Sequence, residues 1–557
     1  MKKGSIALLV LCMFLLVAMA AGCSGKNNGE QEQRGESAEL PMVNGKYDPP
    51  VTITTVKGVA SSWQFKPGET IEDNVMTRWA EERLGIKIKY NWTVTEANDA
   101  FPTKLRLALA SNEPLPDVIY IGGTNPQIMH DLIDSGRFME VGSLFDKYAS
   151  DTWKRAMSID ETVWYTGMRD GKKYAIPNLE FMGNGNSVVW VREDWRKELG
   201  LPEPTTIADL EAILEAFKTK KGLKVPMSIG FTDGFISGIG DTAPIFGAYG
   251  SLPSIWQLND SGDLEYGSIQ PGIKSALEKL NDWNKKGYIS SESALWDGTK
   301  ATEPFLAGDS GVLIAAPWMP QSRFRDLFVN HPNAEVRPFD IPTGPDGKAG
   351  RKMGSIVQGY MLINKEMKNP EILFTYQNYM VDNYGDRKEG SEFEYGLAKG
   401  YDWDVVDGVP TTDPAQIKDF IQAYQYPLFG TGARIPDKFF KLRLDINEKL
   451  KQGIELTAQE KIEHGLIAPS WDGYMVAYST PESFNMKDMF TGAPTPAMVE
   501  NKEYLDTLEL ETFAKIIYGS LPLSAFDDFV KQWKSSGGDK ITKEVNEWYD
   551  SLNSGNK

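Results

Sequence analysis

Residues 111–123 read SNEPLPDVIYIGG. Pro114 and Pro116 punctuate a polar turn, Val118 to Ile121 has the β-branched, apolar character of a buried strand, and the run stops on Gly122 and Gly123. A strand that ends in bare backbone is either a tight strand-to-helix turn or the lip of a cleft. In open α/β sheets ligands sit outside the carboxyl ends of the strands, and glycine lets backbone N–H groups approach them.

The neighbouring stretches extend the same grammar. Val51 to Val56 alternates and is β-branched, which predicts a strand. In ETIEDNVMTRWAEERLG, Thr70 with Asp73 predicts a capped helix start. Ile71, Val75 and Trp79 share one face, and Gly85 suits the stop. Ile86 to Tyr90 reads as a second strand and residues 100–110 as a short helix. Strands separated by helices predict βαβ units and an α/β fold with mostly parallel sheets flanked by helices. Further on, Val188 to Val191 reads as a strand. A helix follows, capped by Thr206 with Asp209, whose stripe is Ile207, Leu210, Ile213, Leu214 and Phe217. From about residue 365 helical patterns dominate: PEILFTYQNYMV, PDKFFKLRLDINEKL, ELETFAKIIYG and ITKEVNEWYDSL.

At 557 residues the chain exceeds one ordinary hydrophobic core, so two or more lobes are expected. Net charge is −18, which argues against a nucleic-acid partner, because phosphate binding needs clustered cations. Lys2 and Lys3, then the apolar run from Ser5 to Ala20, then Ala20-Ala-Gly22 before Cys23, have the form of an export signal. Cys23, followed by SGKNNGEQEQRGES, resembles a bacterial lipobox, with Ala20 where the usual pattern has Leu, Val or Ile. On that resemblance residues 1–22 are removed, Cys23 is lipidated, and the protein is anchored on the outer face of the cell membrane. Loss of Lys2 and Lys3 takes the charge from −18 to −20, and loss of Cys12 leaves Cys23 alone, so an internal disulfide is excluded. Residues 23–47, polar and without apolar periodicity, read as a flexible tether on the order of 25 Å long.

Catalytic motifs are scarce. His130, His331 and His464 lie far apart without acidic or cysteine neighbours in ligand-like spacing, there is no Walker loop, and no metal or cofactor is expected. No contiguous EF-hand-type loop is visible. Paired carboxylates remain as the enzymatic alternative, since glycoside hydrolysis needs only two acids at the right separation. Glu392 with Glu394, or Asp241 and Asp297, are the candidates.

Several stretches together resemble a known family. LPDVIYIGG followed by LIDSGRFMEVGSLFDKYA, then GKKYAIPN, then VVWVREDWRKELGLPEPTTIADLEAILEAFK, and later EPFLAGDSGVLIAAPW, are similar to the extracellular solute-binding proteins (family 1) of carbohydrate ABC importers. NYGDRKEGSEFEYG, DMFTGAPTPAM and the stretch from Glu511 to Tyr549 are similar to the long lipoprotein-type members of Gram-positive bacteria. The resemblance spans residues 48–552 and implies a two-lobe periplasmic-binding-protein-like fold of type II. Residues 48–170 with part of about 305–365 would form one lobe, and residues 171–304 with most of about 366–557 a helix-rich second lobe. It implies a monomer that captures a sugar or oligosaccharide between the lobes and delivers it to the transmembrane subunits of a permease. The same fold carrying a peptide or a charged sugar is the alternative cargo.

The resemblance supplies no ligand contacts, so the site is argued from chemistry. A sugar offers hydroxyl edges and apolar C–H faces, which call for flat aromatic platforms and planar polar side chains. The candidate platforms are Trp63, Trp256, Trp296, Trp318 and Trp471, with Tyr120 and Tyr360. The candidate edge binders are Asn125, Glu180, Asp241, Asp297 and Asn383.

Overall fold

The computed structural model describes residues 40–97, 99–123, 126–430, 432–467 and 470–554. The chain divides into Met1–Pro41 and Met42–Lys557, and both sheets belong to the second unit. The apolar N-terminal run, Cys23 and Asn125 lie outside the described residues. Among the described residues no helix is long and apolar enough to cross a membrane.

In chain order the strands that position the site are β1 (Val51–Val59), β2 (Ile86–Thr95), β3 (Val118–Gly122), β4 (Ile176–Leu179), β5 (Val188–Arg192), β6 (Met227–Ser228), β7 (Val312–Ala315), β8 (Val336–Phe339), β9 (Arg351–Lys352), β10 (Val357–Ile363) and β11 (Asn485–Met486). The helices are α1 (Ala100–Ala110), α2 (Ile207–Lys221), α3 (Gly298–Leu306), α4 (Lys438–Lys451), α5 (Trp471–Ser479) and α6 (Pro496–Ile517).

Two sheets organise the molecule. One has the order β3-β10-β4, and β1, paired in parallel with β2, is tied to it where Thr54 donates to Asp117 through its N–H (2.8 Å) and its hydroxyl (2.7 Å). Ile119, Ile121, Tyr360 and Leu362 pack there against Phe101 and Leu105 of α1. The other sheet has the order β6-β7-β5-β8. Its strand β5, VVWVR, is buried throughout because both faces are covered. Val189 and Val191 meet the α2 stripe and the C-terminal helices through Phe513, Phe526 and Phe529. Val188 and Trp190 meet Phe305, Met319 and Phe324 on the opposite face.

The expectation of mostly parallel sheets needs correction. β1 with β2 and β6 with β7 are parallel, but β10 runs antiparallel to both β3 and β4, and β5 runs antiparallel to both β7 and β8. The βα units set the directions of β1 to β4. β10 arrives from the other sheet and inserts between β3 and β4 the opposite way, which local periodicity does not record. Likewise β7 pairs with β5, and β4 belongs with β10.

Two boundaries differ from the sequence reading. The end of the presumed tether is built: Met42–Val43 pairs with Lys46–Tyr47 around Asn44 (φ 52°) and Gly45 (φ 77°), the primed turn that an Asn-Gly pair favours, and Tyr47 is buried against Thr375. The helix expected from Thr70 starts later, at Val75. Asn74 is its cap, reciprocated by Thr77, while the Thr70 hydroxyl accepts from the N–H groups of Glu72 and Asp73 in a local turn. The Thr206–Asp209 box and the buried α2 stripe are as expected, as is the left-handed stop at Gly85.

Candidate functional site

The chain passes between the sheets through residues 180–187, linking β4 to β5, and through residues 340–356, linking β8 to β10. It also leads from Arg434, beside β4, to α5, which packs on β8 and β5. These crossings lie where β3 and β4 end and β10 begins, so the strand ends form a rim. There the Gly123 N–H donates to the Gln358 carbonyl (2.6 Å) and the Glu180 N–H to the Ile356 carbonyl (2.8 Å). The two glycines differ. A Cβ at Gly123 would lie 3.0 Å from the Gln358 carbonyl oxygen, whereas one at Gly122 would meet nothing within 4 Å. Gly123 is glycine because strands approach closely, and Gly122 faces open space.

Polar groups and rings crowd this rim. Glu180 accepts from the Phe181 N–H (2.7 Å), from the amide of Gln358 and from the Arg434 guanidinium. Both partners of the ion pair are largely but not fully covered, with side-chain exposures of 19% for Arg434 and 13% for Glu180. The guanidinium lies 4.8 Å from the Phe181 ring centre, and Phe181 meets Phe439 edge-on at 4.5 Å. The stretch YQYPLFG, residues 424–430, runs along the same edge. Its Gly430, at φ 46°, sits where any Cβ would collide with the Tyr120 hydroxyl and crowd the Asn178 amide. Near the end of β1, Lys57 donates to the carbonyls of Pro427 (2.8 Å) and Gln425 (3.3 Å) and stands 5.4 Å from the ring centre of Trp63. Burial brings the Lys57 ammonium down to about 7. The Asn178 amide nitrogen is buried without a hydrogen-bond partner among the described residues.

The edge of the other sheet reached by the crossings, at the end of β7 and the start of β5, is built differently. The Ser187 hydroxyl donates to Asp241 (2.7 Å), which also accepts the Ala243 N–H (2.9 Å); burial raises this carboxyl. Arg351 is fully buried and paired with no carboxylate among the described residues. It donates to Asn485 (2.8 Å) and to the carbonyls of Ala477 (2.8 Å) and Ser187 (3.1 Å), clasping the crossing segments to one another. Beside them Gly185 and Gly354 touch backbone to backbone: a Cβ on Gly354 would lie 2.8 Å from the Gly185 Cα. After β7, the half-buried Trp318 spans two apolar clusters, one with Trp190 and Phe324, the other with Trp471 and Tyr474. Gln321 donates its N–H to the Ser470 hydroxyl (3.2 Å), while its side-chain oxygen is buried without a partner among the described residues.

The structure brings Trp63, Tyr120 and Glu180 to the first edge, and Trp318 and Trp471 to the second. Trp471 is 7% exposed, with His464 edge-on at 4.8 Å. Other candidates serve the frame. Trp256 is packed on Tyr266 (5.2 Å) within the core of the four-stranded sheet, and Tyr360 is buried in the other core. Asp241 is consumed by Ser187 and Ala243. Asp297 caps α3 by accepting the Lys300 N–H (2.7 Å), and Asn383 bonds back to the Tyr379 carbonyl (2.9 Å). Trp296 lines a surface pocket of about 560 Å³ with Leu223, Lys224, Pro304 and Asp309, beside the start of β6 and β7 and so at the opposite end of that sheet. Of the acids singled out for paired chemistry, Glu392 accepts from Trp79 (3.1 Å) and Tyr379, and Glu394 accepts the Gly390 N–H (2.9 Å).

Phe181, Gln358, Arg434 and Lys57 escaped the sequence reading. Lys57 had a signal: a cation in TTVKGVA, at the end of a β-branched run, is out of place in a buried strand. Arg434, in the glycine-punctuated PLFGTGARIP, lies 254 residues from its partner Glu180, a separation no local pattern bridges.

Two α/β sheets joined by crossing segments, with polar side chains and rings gathered at strand ends, define a ligand-binding protein. A family model described as bacterial extracellular solute-binding protein matches residues 62–383, more than half of the chain, and the protein belongs to that family. It is 22% identical over 488 residues to lipoprotein LipO of Bacillus subtilis, covering 85% of this chain and 88% of that one. It is 28% identical over 294 residues to the fructooligosaccharide ABC transporter substrate-binding protein FusA of Streptococcus pneumoniae, covering 50% of this chain and 51% of that one. Its fold is that of the periplasmic-binding-protein-like solute-binding proteins. An HMO-binding, ABC-transporter-associated solute-binding protein from Bifidobacterium longum infantis superposes with a TM-score of 0.64 at 16% identity, over 90% of this chain and 99% of the other.

Proposed function

We propose that this chain is a lipid-anchored substrate-binding protein on the outer face of the cell membrane. It captures a sugar or oligosaccharide between two lobes and delivers it, chemically unchanged, to the transmembrane subunits of an ABC importer. One lobe carries β3-β10-β4 and the other β6-β7-β5-β8, and the crossing segments are the hinge about which ligand closes them. The observation that carries this reading is the rim at the ends of β3 and β4. Trp63 and Phe181 offer ring faces for the C–H side of a sugar, and Glu180, Arg434 and Gln358 are planar groups for its hydroxyls. Family membership supports the solute-binding role, and the names of FusA and the Bifidobacterium protein support a carbohydrate cargo. The lipobox resemblance at Cys23 supports the anchor. Engagement of Glu392, Glu394, Asp241 and Asp297 in the frame favours binding over hydrolysis.

Calorimetric titration of the chain without its signal against a panel of oligosaccharides, followed by a reducing-end assay, tests the proposal. Stoichiometric binding without new reducing ends is expected. Failure to bind any carbohydrate, or turnover, overturns it. Cys23→Ala should release the protein from the membrane fraction.

A further inference from the structure

We infer that the Glu180–Arg434 pair is the element of the cleft that sets its cargo class, and that it selects a neutral oligosaccharide over a uronate-containing one. The inference rests on the carbohydrate-binding reading above and goes beyond it in naming the substrate class and the residues that choose it.

Carboxylates reach proteins through uncompensated arginines, because a fork of N–H donors matches two carboxylate oxygens. At this rim Arg434 is already matched. Its Nη1 donates to Glu180, which also accepts from Gln358 and the Phe181 N–H and keeps a lone pair for a further donor. With 19% and 13% of the two side chains exposed, a ligand meets the pair as one neutral unit: guanidinium N–H groups laid against a phenyl face, beside a carboxylate edge. Such a unit both donates to and accepts from vicinal hydroxyls, which themselves donate and accept. A sugar carboxylate has no donor to offer Glu180 and would be repelled by it.

The groups directly beside the pair add little positive charge. Lys57, the other cation on this edge, turns its ammonium to the Gln425 and Pro427 carbonyls, and burial favours its neutral form. The chain as a whole carries −18, a field that lowers the local concentration of polyanions. Other arginines work in the other direction: Arg387 lies 5.2 Å from the Phe439 ring centre and forms no ion pair among the described residues, and neither do Arg323 and Arg325 near Trp318 at the other edge. These are the cations through which a uronate could enter, so the experiment must be able to favour it.

The wild-type chain, Glu180→Gln and Arg434→Gln are titrated with matched neutral and galacturonate-type oligomers at low and high salt. Thermal unfolding of each variant serves as the folding control. The wild type is expected to bind a neutral oligomer at least about tenfold tighter than its acidic counterpart. Glu180→Gln keeps the shape but frees the guanidinium's charge, so the preference should shrink by roughly tenfold or invert, and the new affinity for uronate should fall with salt. Arg434→Gln leaves the carboxylate uncompensated and should weaken neutral binding while pushing uronate binding lower still. These opposite shifts distinguish specificity from simple damage. A wild-type preference for uronate, or an unchanged ratio in both variants, overturns the inference while leaving carbohydrate binding intact. Absence of binding to either class overturns the proposed function itself.

Discussion

The two strand-end edges that face the crossing segments are made of similar residue types yet do different work. At the end of β4, Glu180 and Arg434 are joined but remain within reach of solvent. At the start of β5, Asp241 is 2% exposed and Arg351 fully covered, and their hydrogen bonds go to Ser187, Ala243, Asn485 and Ala477 of the frame. The lesson is that a charged residue at a strand end is not a binding group by type. Glu180 and Arg434, left within reach of solvent, stay available to a ligand. Where segments cross over such a residue, the desolvated charge must be satisfied internally and turns into a clasp.

The sharpest way to break this contrast is with rings. Trp256→Ala, in the core of the four-stranded sheet, should cost about 3–5 kcal/mol in denaturant unfolding and leave ligand affinity per folded molecule unchanged. Trp63→Ala should lose roughly tenfold in affinity by calorimetry with under about 1 kcal/mol lost in stability. An exchange of these outcomes would mean that the edges have been assigned the wrong way round.

Charges give the next largest effect. Arg351→Met removes the donor to three acceptors, on Ser187, Ala477 and Asn485, and should cost about 3 kcal/mol, seen as a lowered unfolding midpoint. Arg434→Met should cost less, about 1–2 kcal/mol, because Glu180 keeps the Gln358 amide and the Phe181 N–H as donors and some contact with solvent. Equal losses from the two arginines would erase the distinction between a buried clasp and an accessible pair.

The smallest effect is a pH slope. Lys57 titrates near 7 in the folded state against an ordinary 10.5, so between those values the unfolded chain holds the extra proton. Its contribution therefore stabilises the fold progressively as pH rises through that window. Lys57→Met should flatten the rise in thermal midpoint between about pH 7 and 10; an unaltered slope would show that the ammonium is better hydrated than its setting suggests.

Local patterning alone determined a good deal. The period of the α2 stripe, the Thr206–Asp209 box and the runs of β-branched residues are satisfied by neighbours a few residues away, so they could be read off the chain. By the same logic Trp63 and Glu180 could be placed just beyond strands, at Val59 and Leu179. The insertion of β10 between β3 and β4 was decided only by the tertiary structure, as were the burial of Trp256 and Tyr360 and the meeting of Glu180 with Arg434. Each depends on which distant segment covers a residue. Desolvation, which separates a clasp from a contact, depends on the atoms packed around a group and not on its neighbours along the chain.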